Sequence, residues 1–267
     1  MKTVVVIAAL ILLLPGVSCK KVINVDIHNA SPQIVIVGEV TNAPGPYQVS
    51  ITQTVNFNDS NIFPPVSGAA VIISDGIGVR DSLTEISPGL YQSHPYWQGN
   101  SGNTYTLYVN TGKNTYMAYS TMPVQVPLDS VGFFYDNNRG GNTIIEAIPY
   151  FQDPPGVRNF YQFTEAVNGH PLNKIFIFSD QFSDGRYIRE PLFDDSTHSH
   201  MQSNDQLDLS MYCIDSTIYS YFNSLQQISG TGGFQSVTPA NPNSNLSGGA
   251  LGYFSAHTIQ TKSQLVP

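Results

Sequence analysis

The chain has 267 residues, with 19 Asp and Glu against 11 Lys and Arg, a net charge of −8 and a pI near 5.0. That balance argues against nucleic acid as a partner and against charge-driven binding to anionic lipid. Charged residues make up only 11% of the chain, against roughly 25% in an average soluble domain, and Asn, Ser, Thr, Gln, Gly and Tyr take their place. Such a mixture favours strands, turns and hydrogen bonding by neutral groups.

In chain order, Lys2 supplies a positive charge ahead of an unbroken apolar run of eleven residues at 4–14. The run falls short of the roughly 20 apolar residues a membrane-spanning helix needs, and it suits the apolar region of a signal peptide. Pro15 and Gly16 break it, and the small Ser18 directly precedes Cys19. A small residue before a cysteine is what lipoprotein processing requires, because a diacylglyceryl group alkylates the thiol and a narrow peptidase pocket accepts the small neighbour. Residues 1–18 are therefore expected as a lipoprotein signal peptide, Cys19 as the lipidated residue and 19–31 as a tether. Two or three acyl chains hold a protein firmly to a membrane where one binds only marginally.

From 32 to 122 the pattern is that of strands: 33–40, 47–55, 70–74, 79–83, 90–92, 105–109 and 116–120 alternate or run apolar. Turn residues separate them, among them Pro44-Gly45-Pro46, Asp75-Gly76, Pro88-Gly89 and Thr111-Gly112. Short strands at this spacing predict an immunoglobulin-like β-sandwich, with Tyr105, Leu107 and Val109 pointing into its core. The segment 123–130, containing Pro123 and Pro127, reads as a linker, since proline lacks the donor a central strand needs. A second β-rich domain, sandwich or barrel, is expected at 131–262, with strands at 131–135, 143–151, 159–167, 174–178, 186–190 and 207–213. Asn168-Gly169 and Ser183-Asp184-Gly185 look like hairpin turns. Ile218, Tyr221, Phe222, Leu225 and Ile228 fall at helical spacing, which predicts one amphipathic helix at about 216–229, capped by Asp215 or Ser216. The Gly- and Asn-rich stretch 231–249 reads as loop, and 250–256 as a closing strand.

Little in the sequence nominates chemistry. There are two cysteines; lipidation of Cys19 leaves Cys213 without a disulfide partner, and Cys213 sits in an alternating run as a buried small residue. Asp194, Asp195, His198 and His200, with Asp205 and Asp208 near in sequence, hold the types that bind zinc or calcium. No third ligand stands at a diagnostic spacing, so a solvated loop is the preferred account, and His198 and His200 are the candidates should a metal bind. Asp180 to Gly185 resembles a calcium loop in part but has no acidic residue closing it, and reads as a turn. Gly140-Gly141 and Gly248-Gly249 lack the strand–loop–helix context of a phosphate cradle, and no nucleophile elbow is present. Neither catalytic residues nor a cofactor are expected. Tyr91, Tyr96 and Trp97 (the only tryptophan) cluster in one segment and are the candidate ligand or partner contacts, because such side chains bury area at low entropic cost. The competing account of Trp97 is that it caps the core of the first sandwich.

Several segments resemble one family. They are Ile34 to Asn42 leading to Gly45-Pro46-Tyr47, Gly68 to Asp75, Pro88-Gly89-Leu90-Tyr91, Gly102 to Leu107, Val126 to Val131 and, most specific, Asn241 to Ala256. Together they resemble the Bacteroidota lipoproteins of domain-of-unknown-function family 4249, over nearly the whole mature length. The resemblance implies an outer-membrane lipoprotein found alongside TonB-dependent transporters, and so a non-enzymatic accessory or binding subunit in nutrient capture. A stand-alone adhesive or structural surface lipoprotein is the alternative, and a metal-dependent hydrolase using His198 and His200 a third reading. Lys20 and Lys21 after the cysteine, in place of acidic residues, leave both faces of the outer membrane open. Within the most specific segment, Pro242, Gly248, Gly249 and Gly252 impose unusual backbone geometry and Asn241, Asn243 and Asn245 can bond local backbone. That composition predicts a rigid structural loop delivering the Tyr253-Phe254 strand into the second domain.

Overall fold

The computed structural model describes residues 31–56, 59–137, 143–194, 199–229 and 241–267. Strands dominate, as the composition implied. The first group is β1 (Ile34–Thr41), β2 (Gln48–Gln53), β3 (Ala70–Ser74), β4 (Arg80–Ser82), β5 (Thr84–Ser87), β6 (Leu90–Gln92), β7 (Thr104–Asn110) and β8 (Thr115–Thr121). After them come β9 (Ser130–Asp136), β10 (Ile144–Gln152), β11 (Phe160–Val167), β12 (His170–Ser179), β13 (Tyr187–Ile188) and β14 (Gln206–Ile214). The helix α1 (Ser216–Ser229) and the long strand β15 (Leu251–Leu265) follow. Among the described residues no helix is long and apolar enough to cross a membrane.

One eight-stranded sheet, ordered β12-β11-β14-β15-β1-β2-β6-β5, runs through the molecule. A four-stranded sheet, β4-β3-β7-β8, packs on one part of it and a three-stranded sheet, β13-β10-β9, on another. The first pairing is the expected sandwich. Ile36, Val49 and Ile51 from the large sheet meet Ile73, Tyr105, Leu107 and Val109 from the small one, all fully buried, because alternate residues of a strand share a face. The second pairing buries Phe151 and Ile188 against Tyr161, Phe163, Leu209, Met211 and Cys213. On the opposite face of that region α1 lays Ile218 and Phe222 over Phe160, Ile175, Ile177, Tyr212 and Tyr253. Both faces of the sheet are covered here, and the sequence shows it: Tyr212 turns to the helix while Met211 and Cys213 turn to the other core.

The two sandwiches share a sheet, and Pro32–Pro267 is one compact unit. The shared member is β15. Its first half pairs in parallel with β1, from Val35↔Leu251 to Thr41↔His257, and its second half pairs antiparallel with β14, from Cys213↔Thr258 to Gln206↔Leu265. The closing strand expected at 250–256 is thus a 15-residue element whose first half completes the first sandwich, placing Phe254 and Ala256 in that core. The segment at 123–129 makes no strand, as its prolines dictate, yet Val126 and Leu128 are buried in the second core.

Asn241 to Ala250 is a structural loop, but the strand it leads into places Phe254 in the core of the first sandwich, not in the second domain as expected. Asn245 accepts from Phe254 N at 3.0 Å and donates to Phe254 O and Tyr119 O at 2.7 and 3.1 Å, so one side chain fixes the start of β15 to β8. Gly252 has φ +90°, and a Cβ there would lie 2.0 Å from Ile36 O. Only glycine lets β15 approach β1 this closely. Asp215 caps α1 as predicted, accepting from Ile218 N at 2.9 Å. It also accepts from Ser120 Oγ at 2.5 Å, which ties the helix to the first sandwich.

Asn168 and Gly169, with φ of 51° and 78°, turn β11 directly into β12, the expected two-residue hairpin. Ser183-Asp184-Gly185 is not a hairpin turn. The chain leaves β12, makes a 3₁₀ turn at Asp180–Phe182 and crosses to β13, which pairs with β10 in the other sheet.

Candidate functional site

The second sandwich is incompletely closed. Its small sheet ends in β13, only two residues long, and its large sheet ends in the ten-residue β12. Between these edges and the end of α1 lies a cleft of about 1010 Å³, at the upper end of the usual range for ligand sites. Phe151, Phe163, Phe176, Phe178, Ile188 and Phe193 line one side of the β12 edge, and Ile175, Ile177, Phe222 and Leu225 the other. The alternation of β12 explains this: its odd residues face the helix and its even residues face the second core, so the cleft wraps its edge. Asn173, Lys174, Glu190 and Gln226 contribute polar side chains to the lining.

Among the described residues no strand pairs with the outer edge of β12. Gln226 Nε2 donates to Ile175 O at 2.9 Å, which satisfies one acceptor of that edge. Pro171 and Lys174 on the strand are the residue types that discourage indiscriminate pairing at an edge.

Beside the cleft a small polar cluster is enclosed by Glu146, Glu165, Lys174, Asp194, His200 and Met201. Lys174 Nζ lies 3.2 Å from Asp194 Oδ1, and His200 Nε2 3.2 Å from Asp194 Oδ2. Glu165 is 7% exposed and its Oε1 has no hydrogen-bond partner. Burial, reinforced by the charges of Glu146 and Asp194, raises its pKa to about 7. His198 lies outside the described residues, as does Asp195. Asp205 and Asp208 are engaged elsewhere: Asp205 accepts from Gln202 N at 2.7 Å and Asn168 Nδ2 at 2.8 Å, and Asp208 accepts from Ser263 Oγ.

The aromatic segment of the first sandwich does not form a site. Tyr91 is 1% exposed, its hydroxyl donating to Val66 O at 2.8 Å and accepting from Ala69 N at 2.9 Å. It is a core residue with a satisfied polar tip and presents no surface to a ligand, which corrects the expectation for it. Trp97 packs on the same core, edge-on to Tyr47 and Tyr105 at 5.7 and 6.0 Å; this is the capping role that competed with binding. Tyr96 is 93% exposed. Sequence reasoning picked the aromatics that cluster along the chain, whereas the cleft draws its aromatics from β10, β11, β12, α1 and the segment after β13.

One further arrangement involves a serine and a histidine. Ser255 Oγ lies 2.9 Å from His257 Nδ1, and Glu39 Oε2 lies 4.0 Å from Nε2. Ser255 and His257 are 2% and 6% exposed, which leaves a substrate no approach to the hydroxyl. Burial lowers the histidine pKa to about 4, opposed by Asp215, and Tyr212 packs edge-on at 5.3 Å. The imidazole works here as a neutral hydrogen-bonding core residue. Cys213, also buried, accepts from Val126 N at 3.3 Å, and burial pushes its thiol pKa up. Cys19 lies outside the described residues.

A family model described as a domain of unknown function (DUF4249) matches residues 20–263, and the chain belongs to that family. No curated protein matches it.

Proposed function

We propose that this chain is an outer-membrane lipoprotein of the Bacteroidota, anchored by acyl chains on Cys19. It serves as a non-enzymatic binding subunit that captures a nutrient for a TonB-dependent transporter. The observation that carries the reading is the aromatic cleft of about 1010 Å³ around the β12 edge. Aromatic and aliphatic walls with some polar groups among them are what recognition by shape and burial uses. The favoured ligand is an extended chain with apolar side chains, such as a peptide. Its backbone pairs with the outer edge of β12 while its side chains enter the cleft, since main-chain pairing supplies affinity and pockets supply selectivity in strand addition.

The deciding experiment is a mild-detergent pull-down of the natively lipidated protein, with Cys19→Ala as the unanchored control. The expected result is one near-stoichiometric outer-membrane barrel with the native protein and none with the control. Recovery of the protein alone overturns the transporter partnership and favours a stand-alone surface protein. Peptide binding before and after Phe193→Ser then tests the cleft separately; affinity unchanged by the substitution places the ligand elsewhere.

A further inference from the structure

The crossing from β12 to β13 brings two carboxylates of one loop together with a third that is distant in sequence. Asp153 follows β10, Asp180 opens the 3₁₀ turn, and Asp184 lies on the loop before β13. One oxygen of each falls within 4.8 Å of the other two. Asp153 and Asp180 are 0% and 1% exposed, so two of the three charges are held in the interior, where an uncompensated carboxylate is costly.

Their partners are mostly neutral donors. Asp153 Oδ1 accepts from the Tyr161 hydroxyl and Oδ2 from Gly185 N at 3.0 Å. Asp180 Oδ2 accepts from Asn159 N, and Asp184 Oδ1 from Gly156 N, both at 2.8 Å. Among the described residues the cation that meets the cluster is Arg158, whose Nε lies 3.5 Å from Asp180 Oδ1 and whose side chain is 54% exposed. At that position it makes no hydrogen bond, and Asp180 Oδ1 remains buried and unbonded. Ser183 Oγ, on the same loop, is likewise buried without a partner. Unsatisfied buried oxygens are rare in folded proteins, and an ion is one of the few things that accounts for them.

We propose that Asp153, Asp180 and Asp184 bind a divalent cation of the calcium class. The donor set is all oxygen, with no thiolate or imidazole, which favours calcium over zinc. Calcium also accepts irregular geometry and completes its shell with carbonyls, hydroxyls and water. One guanidinium against three carboxylates leaves two negative charges, which one such ion neutralises. The cation clips the ends of β10 and β12 to the approach of β13, joining the two layers of the second sandwich where their edges diverge. The loop Asp180 to Gly185 lacks the closing acidic residue of a linear calcium site; Asp153, distant in sequence, supplies the third carboxylate.

The test uses the purified chain, stripped with chelator and dialysed, and titrated with terbium while tyrosine is excited. Tyr161 touches Asp153, so an ion held there receives energy from it. Saturable emission displaced by calcium is expected, with a calcium dissociation constant on the order of 10⁻³ M or tighter. Asp184 is exposed, so Asp184→Asn keeps the fold and is expected to weaken binding by roughly tenfold, as ligand charge sets calcium affinity. Asp59→Asn, on the first sandwich, leaves it unchanged. No emission from folded protein, equal affinity in Asp184→Asn, or equal weakening by Asp59→Asn overturns the site and leaves Arg158 as the counterion.

Discussion

The two sandwiches share a sheet and differ in how they treat buried charge. In the first, the buried carboxylates are anchors for turns and are fully used. Asp75 Oδ1 accepts from Ile77 N, Gly78 N and Val79 N at 3.0, 3.1 and 2.9 Å, and Asp81 accepts from His94 N at 2.8 Å and meets the His94 ring at 2.7 Å. In the second, among the described residues, Glu165 Oε1, Asp180 Oδ1 and Ser183 Oγ are buried without a hydrogen-bond partner. The first sandwich is closed by aromatic and aliphatic packing; the second is split by a cleft. Under the proposed binding role, the first sandwich is the scaffold and the second the working part.

The sharpest challenge to that contrast is Gly252→Ala. A Cβ 2.0 Å from Ile36 O, at φ +90°, forces β15 away from β1, at a cost of about 4 kcal/mol or more. Because β15 continues into the second sandwich, chemical denaturation of the variant should show one weakened transition for both. A second sandwich that melts at its original midpoint would show the two halves to be independent.

Next in size is Glu165→Gln. A folded pKa raised from 4.5 to about 7 means the native state binds the proton more tightly than the unfolded chain. Its contribution is present below pH 4.5 and lost as pH rises through about 7, a loss of roughly 3 kcal/mol. The variant should therefore be more stable than the parent above pH 7 and similar to it below pH 4.5. His257 acts in the opposite sense: its pKa, lowered from 6.5 to about 4, gives stability above pH 6.5 that disappears as pH falls toward 4. In the parent the two trends offset, so removing Glu165 should expose an acid-side loss in thermal melts between those values. A pH profile unaltered by the substitution would mean that Glu165 is ionised and solvated, and would remove half of the contrast.

Asp75→Ala should cost about 2 kcal/mol, the loss of a charged acceptor shared by three amides, read as a lowered denaturation midpoint. A neutral outcome would mean that the turn is held by its glycines alone. The smallest effect belongs to Tyr96→Ala: a side chain 93% exposed should shift stability by no more than about 0.5 kcal/mol. If partner recovery in the pull-down falls with it, the first sandwich is more than scaffold.

Local pattern fixed much of this molecule. The alternation of residues 104–110 and 206–214, the Asn168-Gly169 turn, the prolines of 123–130 and the helical spacing of Ile218 and Phe222 each specify an element through forces acting over a few residues. Such forces are written in order along the chain. The short β5 carried too little pattern to be seen, and β15 was read at half its length because the mostly polar residues 258–264 look like surface or loop until β14 is beside them. Tertiary structure alone decided the rest. It sent Tyr91 inward, gathered the cleft from five separate segments, and set Asp153 within reach of Asp180 and Asp184. Those outcomes depend on which strands become neighbours in the eight-stranded sheet, and that depends on long-range pairing energies that no single stretch of sequence contains.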